Sequence, residues 1–190
     1  MRKTITYFEK TDKRNTEETI KLAYSRANEL GIRDIIIASA HGSTALKATE
    51  IFSTAEFNII TVTICEGFKE EGWTITEKER TELLAKGVKI FTGSHALGDD
   101  VSSAFTEKYG GKSFNEIVAQ TLYRFCQGLK VCVEIVLMAA DAGLIPIDKE
   151  VIAIAGTSEG ADTAIVVKPS YPRKFLELKI KEIIAKPREG

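Results

Sequence analysis

Two short segments carry residue types suited to holding a phosphate. The first, Ser39-Ala40-His41-Gly42-Ser43-Thr44, follows an aliphatic run and precedes a helical pattern. A glycine lets backbone approach a ligand closely, three hydroxyls can donate hydrogen bonds, and a helix start presents free N–H groups to an anion. The same residues also suit an ordinary capped turn, because Ser and Thr are favoured at helix starts for structural reasons alone. The second segment, Gly156-Thr157-Ser158-Glu159-Gly160-Ala161-Asp162-Thr163, joins two expected strands and is richer in Gly, Ser and Thr than a minimal turn requires.

The two histidines, His41 and His95, both fall just after expected strands, where either could exchange protons near neutral pH. They are the candidate catalytic residues, although no nucleophile or acid partner stands at a diagnostic spacing. Phe68 and Trp73 follow the second strand and could add a flat apolar wall for an aromatic ring, and Gly67 beside them is a further candidate ligand-binding residue. A phosphate cradle beside such a wall suits a mononucleotide, and flavin mononucleotide is the first cofactor to test. Two histidines without clustered carboxylates do not make a metal site, and none is assigned. Neither GxxxxGK[ST] nor GxGxxG occurs, so triphosphate hydrolysis and the usual dinucleotide mode have no motif behind them.

The elements that must position these loops follow from periodicity. A helix is expected from Asn15 as N-cap with Glu18 at its third position, with Ile20, Ala23, Tyr24, Ala27 and Leu30 on one face and Gly31 as the stop. Asp34 to Ala38 reads as a strand buried on both faces, followed by a helix capped by Ser43. The cycle repeats with a strand at Asn58 to Ile64, a capping box of Thr76 and Glu79, and a strand at Val88 to Phe91. Residues 92–112 read as a long polar loop or flap. Ser113 and Glu116 open a helix that Gly128 interrupts and Leu129 to Ala142 continues, buried on most sides. The last third reads as strands at Val151 to Ala155, Thr163 to Lys168 and Leu176 to Ile184. Repeated strand–helix–strand units call for an α/β fold: a three-layer α/β/α sandwich with a mostly parallel sheet and antiparallel strands at an edge. If the strands that precede the two loops are neighbours, the loops flank one crevice at the switch point of the sheet.

At 190 residues, 1–190 is expected to form a single domain. The formal net charge of -1 gives no general field for nucleic acid or an anionic membrane, and neither is expected as a partner. Neither a membrane-length apolar run nor a signal-peptide core is present, and Cys65, Cys126 and Cys132 show no disulfide spacing, so the expected compartment is the cytoplasm. The cysteines read as small buried hydrophobes.

Ile37-Ala38-Ser39 with Gly42, Thr44 and Ala45 resembles the first phosphate loop of pyruvate kinase C-terminal domains, and the segment from Gly156 to Thr163 resembles that domain's second effector loop. Tyr7-Phe8-Glu9, Gly93-Ser94-His95-Ala96-Leu97, Lys130-Val131-Cys132-Val133-Glu134 and Gly160-Ala161-Asp162-Thr163-Ala164 extend the likeness. They resemble a small family of archaeal and bacterial proteins described as pyruvate-kinase-domain-like. In pyruvate kinase this domain binds a sugar bisphosphate effector and contributes to subunit contacts, while phosphoryl transfer belongs to a separate barrel. The resemblance carries Ser39, Gly42, Ser43 and Thr44 over as phosphate ligands, but the second loop lacks the closely spaced basic residues of that effector site. Three readings follow. The first is a domain binding a phosphorylated small molecule, with residues 92–112 closing over it. The second is an enzyme, flavin-dependent or not, that uses His41 or His95. The third is a homo-oligomerisation module using Val131 to Met138 or the final strand.

Overall fold

The computed structural model describes residues 3–189. Its seven-stranded sheet has the order β1-β7-β6-β5-β2-β3-β4, where β1 is Thr6–Phe8, β2 Asp34–Ala38, β3 Asn58–Thr63, β4 Lys89–Thr92, β5 Val151–Ala155, β6 Thr163–Lys168 and β7 Lys179–Pro187. β2 pairs in parallel with β3 on one side and β5 on the other, and β3 pairs in parallel with β4. β6 runs antiparallel to both β5 and β7, and β1 closes that end by pairing in parallel with β7. The sheet is therefore mostly parallel, with its antiparallel pairing confined to one end.

Strand periodicity divides the core into two layers. Ile35, Ile37, Ile59, Ile152, Ile154 and Val166 face one side, where they meet Ile20, Ala23 and Ala27 of α1 (Thr16–Leu30), Ala45 and Ala48 of α2 (Ser43–Thr49) and Leu83 of α3 (Glu77–Ala85). Ile36, Ile60, Val62, Ala153 and Ile165 face the other side, under Leu129, Cys132, Val133, Val136 and Leu137 of α6 (Gln127–Asp141). Alternation in a strand sends adjacent residues to opposite faces, and with both faces covered successive positions can all be apolar. That is why Ile35-Ile36-Ile37 needs no polar side. The three-layer α/β/α arrangement is the one expected from the sequence.

The chain builds outward from β2 to β4 with α2 and α3 on one face. It then crosses the opposite face through α4 (Val101–Tyr109), α5 (Phe114–Leu122) and α6 to return at β5, on the other side of β2. The boundary between β2 and β5 is thus the switch point, with the two Ser- and Thr-rich loops leaving the carboxyl ends of these neighbours.

Several local expectations need correction. Asn15 does not cap α1: its backbone is helical, it ends a short 3-10 turn at Lys13–Asn15, and its side chain donates to the Lys10 carbonyl instead. Ser43 is the first residue of α2 rather than its cap; the cap position belongs to Gly42 at φ 81°, and Ser39 Oγ accepts from the Thr44 amide at 3.2 Å. Residues 92–112 are not one loop, since Asp100 caps α4 by accepting from the Ser102 and Ser103 amides. The helix break near Gly128 falls earlier, at 123–126; Gly128 lies in the first turn of α6, where an added Cβ would stand 2.2 Å from Thr163 Oγ1. The final strand starts at Lys179, because Pro172–Glu177 forms a 3-10 segment that takes Leu176 out of the ladder. β1 had no counterpart in the sequence reading. Val131 to Met138 lies in α6 against the protein's own sheet, which buries all of it but Val131, and β1 covers the outer edge of β7 only at Ala185–Pro187.

Candidate functional site

Beyond the carboxyl ends of β2 and β5 lies a cleft of about 630 Å³. From the sequence candidates it brings together Ser39, His41, Ser43 and Thr44 from the first loop, Gly156, Thr157 and Gly160 from the second, and His95. Gly42, Gly67, Phe68, Asp162 and Thr163 stand outside its wall. Gly42 backs onto Leu83, whose Cδ1 would lie 2.6 Å from an added Cβ, so it shapes the first loop from behind. The Phe68 ring stacks on Trp73 at 5.5 Å and lies 6.4 Å from the His95 ring, meeting the cleft only through that histidine. Gly67 is exposed on the same short turn.

The first loop is held from both ends. The Ser39 amide donates to the Val62 carbonyl of β3, and the Ser39 hydroxyl takes the Thr44 amide. Ser39 and Thr44 are buried and serve the turn, whereas His41 and Ser43 are exposed. Among the described residues the amides of His41, Gly42 and Ser43 have no hydrogen-bond partner, as expected for the entrance to a helix.

The second loop is strapped to the start of α1. Thr16 Oγ1 accepts from the Ala161 amide at 3.0 Å, and the Thr19 hydroxyl donates to the Ala161 carbonyl at 3.3 Å. Asp162, 3% exposed, accepts from the hydroxyl of Thr157 with one oxygen and from that of Thr163 with the other. Its amide closes the turn onto the Ala155 carbonyl. Asp162 and Thr163 thus fix the loop's shape while Gly156, Thr157 and Gly160 face the cleft.

The sequence reading missed the charged groups that line this cleft. Lys13 and Lys47 stand at its mouth, and Lys130 and Glu134 lie within. Lys130 Nζ donates to Glu134 Oε2 at 2.6 Å, with the two side chains 9% and 6% exposed, and it lies over the Tyr123 ring at 5.8 Å. A lysine and a glutamate four residues apart in an otherwise apolar helix were the available signal, since such a pair is buried only when matched. Lys47 carries no ion pair among the described residues, while Lys13 reaches Glu159 of the second loop at 3.3 Å in a solvent-exposed contact worth little by itself. The floor between these poles is apolar: Ala38, Val62, Val131, Ile135 and Met138.

Each histidine has a carboxylate beside it. His41 Nδ1 is 3.3 Å from Glu79 Oε2. Burial raises the Glu79 carboxyl, but hydrogen bonds from the Thr76 amide and hydroxyl and from His41 outweigh it and hold the pKa below the ordinary value. His95 Nδ1 is 2.6 Å from Asp99 Oδ2, with the histidine side chain 16% exposed. Asp99 adopts φ 54°, the one non-glycine residue among those described with left-handed backbone, which places its carboxylate in reach of the residue four positions back. With Nδ1 engaged, His95 Nε2 is the nitrogen left for a ligand.

A family model described as pyruvate kinase, alpha/beta domain, matches residues 17–167, spanning the sheet from before β2 into β6. Among solved structures, the chain is similar to a pyruvate kinase from Cryptosporidium parvum, at 14% identity and a TM-score of 0.39, covering 80% of this chain and 22% of that one. It is also similar to a Cryptosporidium parvum pyruvate kinase in complex with ADP, at 15% identity and a TM-score of 0.40, covering 90% of this chain and 24% of that one. The chain therefore spans less than a quarter of the length of either.

Proposed function

The chain belongs to the pyruvate kinase alpha/beta domain family, and from that premise we propose that it is a small-molecule-binding domain holding a phosphate-bearing ligand between loops 39–44 and 156–163. One observation carries the reading: the two loops come from adjacent strands and open onto one cleft whose mouth holds Lys13 and Lys47. Unpartnered amides at 41–43, the exposed Ser43 hydroxyl and two ammonium groups offer a dianion both hydrogen bonds and charge. The apolar floor accepts the uncharged body of the ligand. Flavin mononucleotide is the first candidate on grounds of size and a planar ring, with other phosphorylated metabolites as the wider class.

The test is to purify the protein, denature it, and record the visible spectrum and mass of what is released, followed by melting-temperature shifts with a panel of phosphorylated compounds. A stoichiometric phosphorylated species, or a stabilisation lost in Ser43→Ala and Lys47→Ala, supports the reading. Neither a released compound nor a shift with any phosphorylated probe would sink it.

A second, enzymatic reading is favoured by the His95–Asp99 contact. A carboxylate that fixes the imidazole tautomer leaves Nε2 as a base toward the cleft. On this reading His95→Gln abolishes turnover of the bound compound while leaving its affinity within a few-fold. His41, more open and 3.3 Å from Glu79, is the weaker candidate for that role.

A further inference from the structure

One wall of the cleft is polar and comes from a single helix. Gln127, Lys130 and Glu134 follow one another at helical spacing on α6, and all three line the cleft beside the apolar Val131, Ile135 and Met138. Lys130 is the unusual member. An ammonium has three N–H donors and no acceptor. The bond to Glu134 Oε2 at 2.6 Å is the one hydrogen bond that Nζ makes among the described residues, although the side chain is only 9% exposed. The Tyr123 ring covers it at 5.8 Å, and the cleft is where its remaining N–H groups can find a partner. Glu134, by contrast, is fully engaged, with one oxygen on Lys130 and the other on the Leu97 amide. The pair therefore offers the cleft donors without net charge.

We propose that this wall selects the end of the ligand remote from its phosphate. The cleft takes a monophosphate whose other end carries an uncharged acceptor, a carbonyl oxygen, held by the spare N–H groups of Lys130 with the Gln127 carboxamide beside it. The proposal rests on the phosphate reading of loops 39–44 and 156–163 and adds the chemistry of the opposite end. Desolvation is the first argument. A buried ammonium with unmade hydrogen bonds keeps a penalty that an acceptor from the ligand removes and an apolar group does not.

Charge is the second. Lys13, Lys47 and Lys130 line the cleft together with Asp99, Glu134 and Glu159. The cations free to offset a phosphate are Lys47, on the helix that the first loop opens, and Lys13, loosely paired with Glu159 in solvent. Lys130 is already matched. A second phosphate at the α6 wall would bring a dianion against Glu134, and toward Asp99 on the loop that Glu134 holds, with no surplus cation to meet it. A bisphosphate is refused on these grounds.

Isothermal titration of the full chain with phenyl phosphate, 4-acetylphenyl phosphate and 1,4-phenylene bisphosphate varies the remote end at constant phosphate. The naphthalene counterparts of all three supply a longer body. On the body that spans the cleft, the acetyl compound is expected to bind about tenfold tighter than the plain monophosphate and the bisphosphate about tenfold weaker. Lys130→Met combined with Glu134→Gln removes both charges together, keeps an acceptor for Leu97, and abolishes the acetyl preference. Glu134→Gln alone leaves the ammonium in surplus and narrows the handicap of the bisphosphate by about tenfold. Ser43→Ala weakens all the compounds by a similar factor and leaves their ratios unchanged. Equal affinities for the acetyl and plain compounds on both bodies overturn the proposal and leave the phosphate reading standing. An acetyl preference that survives the double substitution, or a bisphosphate that binds wild type as tightly as the monophosphate, does the same. Binding by none of the compounds sinks the phosphate reading, and the proposal falls with it.

Discussion

Glu134, in the middle of α6, reaches across to the backbone of Leu97 and accepts its amide hydrogen at 2.9 Å. The other carboxylate oxygen takes Lys130 Nζ. One buried side chain therefore ties the loop carrying His95 to the helix that floors the cleft, and it neutralises the lysine there. A buried charge with one partner removed is costly, because the remaining group keeps its desolvation penalty.

Glu134→Leu is expected to destabilise the protein by about 2–4 kcal/mol, since it orphans both the ammonium and the amide. Glu134→Gln keeps an acceptor for Leu97 and costs less, about 1–2 kcal/mol. Urea denaturation gives the two values, and hydrogen exchange at the Leu97 amide separates them. An amide equally protected in the wild type and in the leucine variant would show that the loop is held by something else.

The second loop depends on Gly160. Its φ of 77° is left-handed, and a Cβ there would lie 2.2 Å from Thr16 Oγ1 and 3.1 Å from the Lys13 backbone. Gly143 has φ 69° with nothing within 4 Å, so it isolates the backbone cost alone. Gly143→Ala should cost about 1 kcal/mol. Gly160→Ala should cost more, about 2–4 kcal/mol, because the clash adds to the strain. It should also displace Thr157 and abolish the thermal shift given by any phosphorylated probe that stabilises the wild type. Equal stabilities for the two variants would mean that the loop relaxes without moving Thr16.

The strands and the two capping boxes were legible because they are local. Thr76 with Glu79 and Ser113 with Glu116 form reciprocal boxes as the spacing predicts, and β2, β5 and β6 start and stop where their apolar runs do. Asn15 and Glu18 have the same spacing and form no box, because the preceding chain enters as a 3-10 turn capped by Asp12 and Asn15 is already helical. α4 was illegible for a different reason. Its apolar stripe faces away from the fold, so a search for an inward face returns a polar loop, although Asp100 before Ser102 and Ser103 was a readable start signal. β1 has three residues and exists only through pairing with β7 at the far end of the chain. In the cleft, Gly, Ser and Thr marked the loops and Lys47 lies one turn into the helix that the first loop opens, but Lys13 and Lys130 come from elements that only the tertiary fold brings there.

Thiol chemistry should distinguish the three cysteines. Cys126 and Cys132 are fully buried between α6 and β6, and Cys126 Sγ lies 3.5 Å from Thr163 Oγ1. Burial pushes the Cys132 thiol well above its ordinary pKa, and the neighbouring Cys126 and Asp162 add to the rise, so the reactive thiolate is suppressed. Cys65 is half-buried at the start of the short turn after β3. Native protein should therefore react with a thiol-specific chromogenic reagent at one site per chain, removed by Cys65→Ser, and at all three in denaturant. Fast labelling of Cys132 in the native state would mean that α6 lifts from the sheet.

The acid limb of stability should be governed by a cluster far from the cleft. Arg26 of α1, its side chain 9% exposed, donates through Nε and Nη2 to both oxygens of Glu182 on β7, at 2.7 and 2.6 Å, and through Nη1 to Glu29 at 2.5 Å. The hydrogen bonds from Arg26 hold the Glu182 carboxyl below its ordinary pKa against the opposing effect of burial, and Lys3 and then Arg26 do the same for Glu29. A carboxyl whose folded pKa is depressed contributes stability that is fully present above its unfolded pKa and is lost as pH falls through the folded value. Melting temperature should thus hold level near neutrality and drop as pH goes from about 5 toward 3. In Glu182→Gln the neutral-pH value is lower, because Arg26 is left with a weaker partner, and the acid drop is shallower, because one linked proton is gone. Parallel curves for the two proteins would show that the α1–β7 cluster does not set the acid limb and that other carboxylates do.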